Sequence, residues 1–343
     1  MSDLARVLAL VQRHGWNATA FQTLESGYRY FFHGDDACVA YVDTGRAWIA
    51  AGAPIAGSDA LGATARAFIA AARARGRRSA FVATERRLQL AAAPDLRSIR
   101  IGEQPVWDPS QWSTILAGRR SLREQLRRAR AKGVRVRLVT AAELTAGPTH
   151  DALVRLCERW LAERGLAPLH FLVRVEPYSF ARERRCFVAE CKGRVVGFAG
   201  VVPVPARGGW FLEDLVRERD APNGTTELLV DATMRGAASA GSRWLTLGTV
   251  PLSGEIAAPL RVARCALGRF YNFAGLRAFR AKLGPCEWTP IYLAHPPDEG
   301  TLAALFDGLS AFTGGGVPRY AVRSLLRSVR AREARWSREP VGM

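Results

Sequence analysis

The sequence predicts an α+β protein built of two similar units in tandem, and three observations carry that prediction. A chain of 343 residues exceeds one ordinary domain and falls short of three. Its 48% hydrophobic and 23% charged residues are a globular balance, enough for each unit to bury a core. An order of short β-type runs, a helix and a further strand occurs in the first half and again beyond the basic segment 119–137.

In the first unit YRYFFH (28–33), ACVAYV (37–42) and RAWIAA (46–51) are separated by Gly and Asp turn signals, which predicts a meander. Ser58 and Asp59 are candidate caps of an Ala-rich helix that runs to Arg75 and closes at Gly76. SAFVAT (79–84) then reads as a strand, 85–93 as a helix and RSIRI (97–101) as a strand. In the second unit Leu153, Val154, Cys157, Trp160 and Leu161 recur at helical spacing over 150–164, leaving Arg155, Glu158 and Arg159 in water. CFVAE (186–190) and RVVGFAGVVPV (194–204) flank Lys192-Gly193, a hairpin signal. GWFLEDLV (209–216), a loop with Pro222, Asn223 and Gly224, a helix to about Ala240 and the strand RWLTLG (243–248) complete it. The expected division is 1–130, 131–315 and a basic tail, 316–343, with a fused or adjacent sheet.

Composition narrows the function classes. No apolar run is long enough to cross a bilayer, and MSDLARVLALVQRHGW reads as an amphipathic helix, so a cytoplasmic protein is expected. The cysteines Cys38, Cys157, Cys186, Cys191, Cys265 and Cys286 have no C-x-x-C spacing and the five histidines form no ligand cluster. They are expected to be small buried apolar residues, with no metal, disulfide or cofactor. A formal charge of +18 attracts polyanions, so nucleic acid or an anionic membrane surface is the expected partner.

The chemistry-bearing motifs differ in weight. An acetyl-CoA-type R-x-x-G-x-A pattern exists at Arg194, Gly197 and Ala199, but inside a predicted strand, where no helix N-terminus can meet a pyrophosphate. The loop 220–226 does precede a helix, yet has no glycine-rich cradle. Segment 119–137 carries nine cations and the single acid Glu124; their repulsion opposes an isolated helix, and a bound polyanion relieves it. Arg123, Arg127, Arg128, Arg130 and Lys132 are therefore candidate RNA phosphate contacts, against the alternative of a solvated helix face. The tail places Arg319, Arg323, Arg327 and Arg330 beside Val322, Leu325, Leu326, Val329 and Trp336, a pattern suited to a lipid interface and so to a peripheral position at the inner face of the cell membrane.

The order of elements in each half is that of the acetyltransferase (GNAT) fold. GAPI (52–55), LREQLRRARAKG (122–133), EDLVR (213–217), PNG (222–224), LGTVPLSG (247–254) and FYNFAGLRAFRAKLGPCEWTPIYLAHP (270–296) resemble the C-terminal catalytic domain of the lysyl- and alanyl-phosphatidylglycerol synthases, the multiple peptide resistance factor family. The last block is the most specific. Leu283 departs from the aromatic that usually follows the lysine, and Arg280 from a common lysine. The resemblance implies two tandem GNAT domains, as in the Fem-type transferases, an aminoacyl-tRNA donor and a lipid hydroxyl acceptor such as that of phosphatidylglycerol. It also implies that Lys282 polarises the ester carbonyl or neutralises the leaving group, with Arg277 beside it on the same helix face. Asp214, meeting an ammonium group, then lines the amino-acid pocket with Arg217 and Asn223. A structural ion pair between Asp214 and Arg217 is the alternative for those two. A CoA-dependent N-acyltransferase and a non-catalytic RNA-binding protein remain as other classes.

Overall fold

A computed structural model of the chain describes residues 2–163, 171–172, 175–268, 272–314 and 316. Helix α1 (Asp3–His14) begins where the Ser2 side chain accepts from the Ala5 amide, and buries Val7, Leu10 and Val11 at helical spacing. A 3-10 segment, Ala18–Leu24, leads into the antiparallel meander β1 (Arg29–Phe32), β2 (Cys38–Asp43) and β3 (Ala47–Ala51). Helix α2 (Leu61–Arg73) then crosses to β4 (Arg78–Thr84), parallel to β3. Ser58 and Asp59 do not cap α2: its N-cap is Ala60, and the Ser58 hydroxyl accepts from Arg87 instead. After α3 (Arg86–Ala91) comes β5 (Arg97–Trp107), which extends well past the apolar run at 97–101. Its continuation carries buried Glu103 and Gln104, polar residues that a hydrophobic pattern cannot assign to a strand.

Helices α4 (Trp112–Ala117) and α5 (Arg120–Ala131) join the halves. The charge repulsion expected to oppose a helix at 119–137 is overcome because Leu122, Leu126 and Ala129 bury one face of α5. The second half runs β6 (Arg135–Val139), α6 (Ala141–Thr145), α7 (Pro148–Glu163), β7 (Arg185–Cys191), β8 (Arg194–Val204), β9 (Gly209–Arg217), α8 (Thr225–Ser239) and β10 (Leu245–Thr246). At the β7–β8 turn Lys192 and Gly193 have φ of 50° and 73°, the two positive values a tight hairpin demands. β6 to β9 are antiparallel, and α8 crosses from β9 to a parallel β10, repeating the β3–α2–β4 unit. β11 (Val250–Pro251), α9 (Ala258–Leu267), α10 (Phe273–Lys282), β12 (Glu287–His295) and α11 (Thr301–Phe312) follow.

All twelve strands of the described residues belong to one sheet, ordered β1-β2-β3-β4-β12-β5-β10-β9-β8-β7-β6, with β11 on β5. β12 crosses back from the second half and fills the place between β4 and β5, pairing Leu293 with Val82 on one side and Trp288 with Pro105 on the other. In the second half α4, α5 and α8 cover one face, burying Trp107, Trp112, Leu122, Leu212, Leu229 and Met234. Helix α7 covers the opposite face with Leu153 and Leu156 over Cys186, Val188, Phe198 and Val216. On that same face α1 packs on Val202, Val204 and Phe211, tying the halves together. Four cysteines are buried; Cys265 and Cys286 are exposed, contrary to expectation, since α9 buries little of its surface and Cys286 sits in a turn ahead of β12. Among the described residues no helix is long and apolar enough to cross a membrane.

Candidate functional site

The site begins with a fault in a strand. Between β8 and β9 the register slips, so that Gly200 faces Asp214, Val201 faces Leu212, and Glu213 is the extra residue of a β-bulge. Both acidic side chains thereby reach the Arg184 guanidinium, which bonds Glu213 and lies 3.8 Å from Asp214. All three side chains are buried, at 1%, 3% and 4% exposure for Arg184, Glu213 and Asp214. Gly200 leaves room: a Cβ there would stand 3.0 Å from Asp214 Oδ2.

A third buried acid, Glu25, comes from the N-terminal half at the end of the 3-10 segment. Burial, and then the charge of Glu213, push its carboxyl up to about 9; burial and the same neighbour push Asp214 well above the usual carboxylate range. Glu25 Oε1, Glu213 Oε1 and Asp214 Oδ2 are buried without a hydrogen-bond partner among the described residues. Among the described residues Arg184 is the cation of the cluster. Uncompensated buried carboxylates are costly, so the three acceptors in this cluster can be relieved either by protonation or by a cationic group. A cleft of about 520 Å³ starts at the next residues, lined by Ser26, Gly27, Tyr28, Val42 to Gly45, Phe171, Ala311 and Gly314. Of this cluster the sequence had pointed only to Asp214. Glu25 had no signal, and EDLVR placed Glu213 in a motif without a role.

The expected catalytic cations lie on the other face. Lys282 Nζ bonds Glu227 Oε1 at 2.5 Å and Gln125 Oε1 at 3.0 Å, 5.1 Å from the Phe279 ring centre. Arg277 Nε bonds Glu103 at 2.7 Å and its guanidinium covers Trp288. The two do not share a helix face: five residues correspond to roughly 500° of rotation, about 140° apart. Leu283, next to Lys282, belongs to the core under α5 and α8, whereas Asp214 is on the α7 side of β9. Between them the sheet opens. β10 pairs with β9 only at Trp210 and Phe211, while β9 continues to Arg217. Arg280 reaches the Gly248 carbonyl at the rim of this gap, at 2.5 Å.

Arg217 is exposed and donates to the carbonyls of Glu218 and Arg219, so it forms no ion pair with Asp214; three residues apart on a strand, the two point to opposite faces. Asn223 is exposed in the loop ahead of α8. That loop is closed to a pyrophosphate by α5 itself: a Cβ on Gly224, the N-cap at φ 94°, would stand 2.4 Å from the Gln125 carbonyl oxygen. The first turn of α8 also holds its own buried carboxylate, Glu227, where an anion would bind.

The α5 cations are all exposed. Arg123 donates to the Leu116 and Ala117 carbonyls that end α4, Arg127 to Glu124 at 3.0 Å, and Arg130 to buried Asp231 at 2.8 Å. Neither Arg128 nor Lys132 has a side-chain bond to a described residue. Arg119, just ahead of α5, reaches the Lys282 carbonyl at 3.3 Å, so the basic helix leans on the lysine-bearing one. The basic residues expected at the lipid interface, 319–336, lie outside the described residues.

The sequence profile described as "Phosphatidylglycerol lysyltransferase, C-terminal" matches residues 8–295. A phosphatidylglycerol lysyltransferase of Bacillus subtilis is 29% identical over 168 residues, 46% of this chain, a stretch that spans only 19% of that relative's length. Among solved structures, the C-terminal domain of a protein described as a lysylphosphatidylglycerol synthetase from Agrobacterium fabrum superposes with a TM-score of 0.78 at 27% identity, over 92% of this chain and 98% of that one. The L-PGS structure from Bacillus licheniformis shares the fold with a TM-score of 0.76 at 19% identity, covering 89% and 95%. FemX shares it more distantly, at 0.56 and 11%, covering 87% and 97%.

Proposed function

We propose that this chain, which belongs to the phosphatidylglycerol lysyltransferase C-terminal family, moves a lysyl-type aminoacyl group from aminoacyl-tRNA to a lipid hydroxyl such as that of phosphatidylglycerol. The observation that carries the reading is the division of charge across the sheet: exposed cations on α5 on one face, a buried carboxylate cluster on the other, and between them a β9–β10 pairing confined to Trp210 and Phe211. An aminoacyl-tRNA has the same polarity, a polyanionic carrier and a cationic acyl group. Such an ester is already activated, so the protein has to position the acceptor and stabilise the oxyanion.

Lys282 suits the second task. An ammonium has three N–H donors, and Glu227 and Gln125 take two, leaving one for a developing oxyanion. Asp214 and Glu213 meet the acyl group's ammonium, and Arg123, Arg127, Arg128, Arg130 and Lys132 the RNA phosphates. A CoA-dependent acyltransferase is disfavoured by the packing of α5 and Glu227 against the α8 N-terminus.

Incubation with charged tRNA and total lipid, followed by mass spectrometry, should yield aminoacylated lipid; no such product with any charged tRNA sinks the reading. In single-turnover transfer Lys282→Ala should lose about a hundredfold in rate, the usual cost of one oxyanion donor, with tRNA affinity kept. Asp214→Asn should weaken use of the charged donor while deacylated tRNA binds as before.

A further inference from the structure

We propose that Glu25, which the N-terminal half contributes, is a specificity-determining residue: its buried carboxylate accepts the side-chain ammonium of the donor amino acid. This rests on the aminoacyl reading above and adds to it the residue that reads the side chain.

The argument is geometric first. Glu25 is 5% exposed and its Oε1 has no hydrogen-bond partner among the described residues. Glu25 stands beside Glu213 and Asp214, which the reading above assigns to the acyl group's ammonium, and a cleft begins at Ser26, the next residue of the chain. Asp214 and Glu213 are held by the β9 bulge and share Arg184, so they serve the fixed part of the acyl group; Arg184 bonds Ser179 and Glu213 and makes no hydrogen bond to Glu25. The charged and titratable groups facing it are Glu213 and Asp214 of β9, Arg184 and Glu176 ahead of β7, and Tyr28 just ahead of β1; Cys157 of α7 and Cys186 of β7 lie beyond Asp214. Burial first, and then these three acids against the opposing charge of Arg184, favour the protonated carboxyl, and Glu25 is raised to about 9. Binding is then an exchange: the Glu25 carboxylic acid and an alkylammonium give a carboxylate–ammonium pair and a proton released to solvent.

Isothermal titration with L-lysine methyl ester and L-norleucine methyl ester tests this, since they differ chiefly in the terminal ammonium. The native chain should bind the lysine ester at least about tenfold more tightly, as expected of one charge-assisted hydrogen-bonded pair. Buffers of different ionisation enthalpy should show proton release with that ester alone. Glu25→Gln should bring the two affinities within about threefold and abolish the release, leaving the norleucine ester little changed. A merely structural Glu25 would weaken both esters together. Persistence of the lysine preference in Glu25→Gln overturns the proposal, as does a native chain that does not discriminate. Should Glu25→Gln not fold, proton release by the native chain decides: its absence overturns the proposal. No tRNA or lipid enters, so loss of lipid aminoacylation with the preference intact condemns only the functional reading. Transfer without the preference condemns only the role of Glu25.

Discussion

At the scale of single residues the acidic cluster makes the empty protein sensitive to alkali. Glu25 titrates near 9 when folded against an ordinary 4.5. The folded state therefore keeps a proton that the unfolded chain gives up between those values. Its contribution is complete below about pH 4.5 and is lost as pH rises through about 9. Asp214, raised for the same reason, acts in the same direction. The thermal midpoint should fall from pH 6 to pH 9 without ligand, and fall less in Glu25→Gln; parallel curves for the two proteins would mean that Glu25 is not the titrating group. Lys282 and Asp214 were singled out as candidate site residues through a family resemblance. Their partners were not, because Glu227, Gln125 and Glu25 are distant in sequence from them and only folding supplies the contact.

At the scale of elements α5 has two duties that its sequence does not separate. Leu122, Leu126 and Ala129 hold it to the core, and its arginines remain outside. Three of them also have internal partners, so they are part-neutralised struts as well as the proposed phosphate ligands. Replacing Arg123, Arg127 and Arg128 with Gln should lower the slope of log affinity for tRNA against log salt by about 2, since each phosphate contact contributes somewhat less than one. An unchanged slope would move the RNA surface elsewhere. Arg130→Gln should instead cost stability by removing one partner of buried Asp231, which Arg235 and Trp112 also hold. The close approach of α5 to the α8 loop rests on Gly224. Gly224→Ala combines φ 94° with a 2.4 Å clash and should destabilise by about 1–3 kcal/mol in denaturant unfolding.

At the scale of the whole molecule β12 decides that the halves stand or fall together. Without it β4 and β5 would be bare edges flanking an empty place in the sheet, prone to wrong pairing. A chain ending at residue 286 should therefore aggregate, whereas one ending at 317 should keep its fold and lose only binding to anionic vesicles, about 1 kcal/mol for each basic residue near the surface. Soluble, folded 1–286 would show that β12 is dispensable, and equal sedimentation of full-length and 1–317 chains with anionic vesicles would remove the tail as an anchor. What the sequence determined by itself was local and periodic: the meander at 28–51, the hairpin at Lys192-Gly193, the helix of 150–164, the order of elements in each half and the family that order and its motifs resemble. Only the tertiary structure decided the rest. It set β12 between strands nearly two hundred residues earlier, put Lys282 and Asp214 on opposite faces of one sheet, and brought Glu25 to a bulge on β9. The physical reason is that periodicity records which face of an element is buried, while the partner that buries it is chosen by pairing and burial across the whole chain.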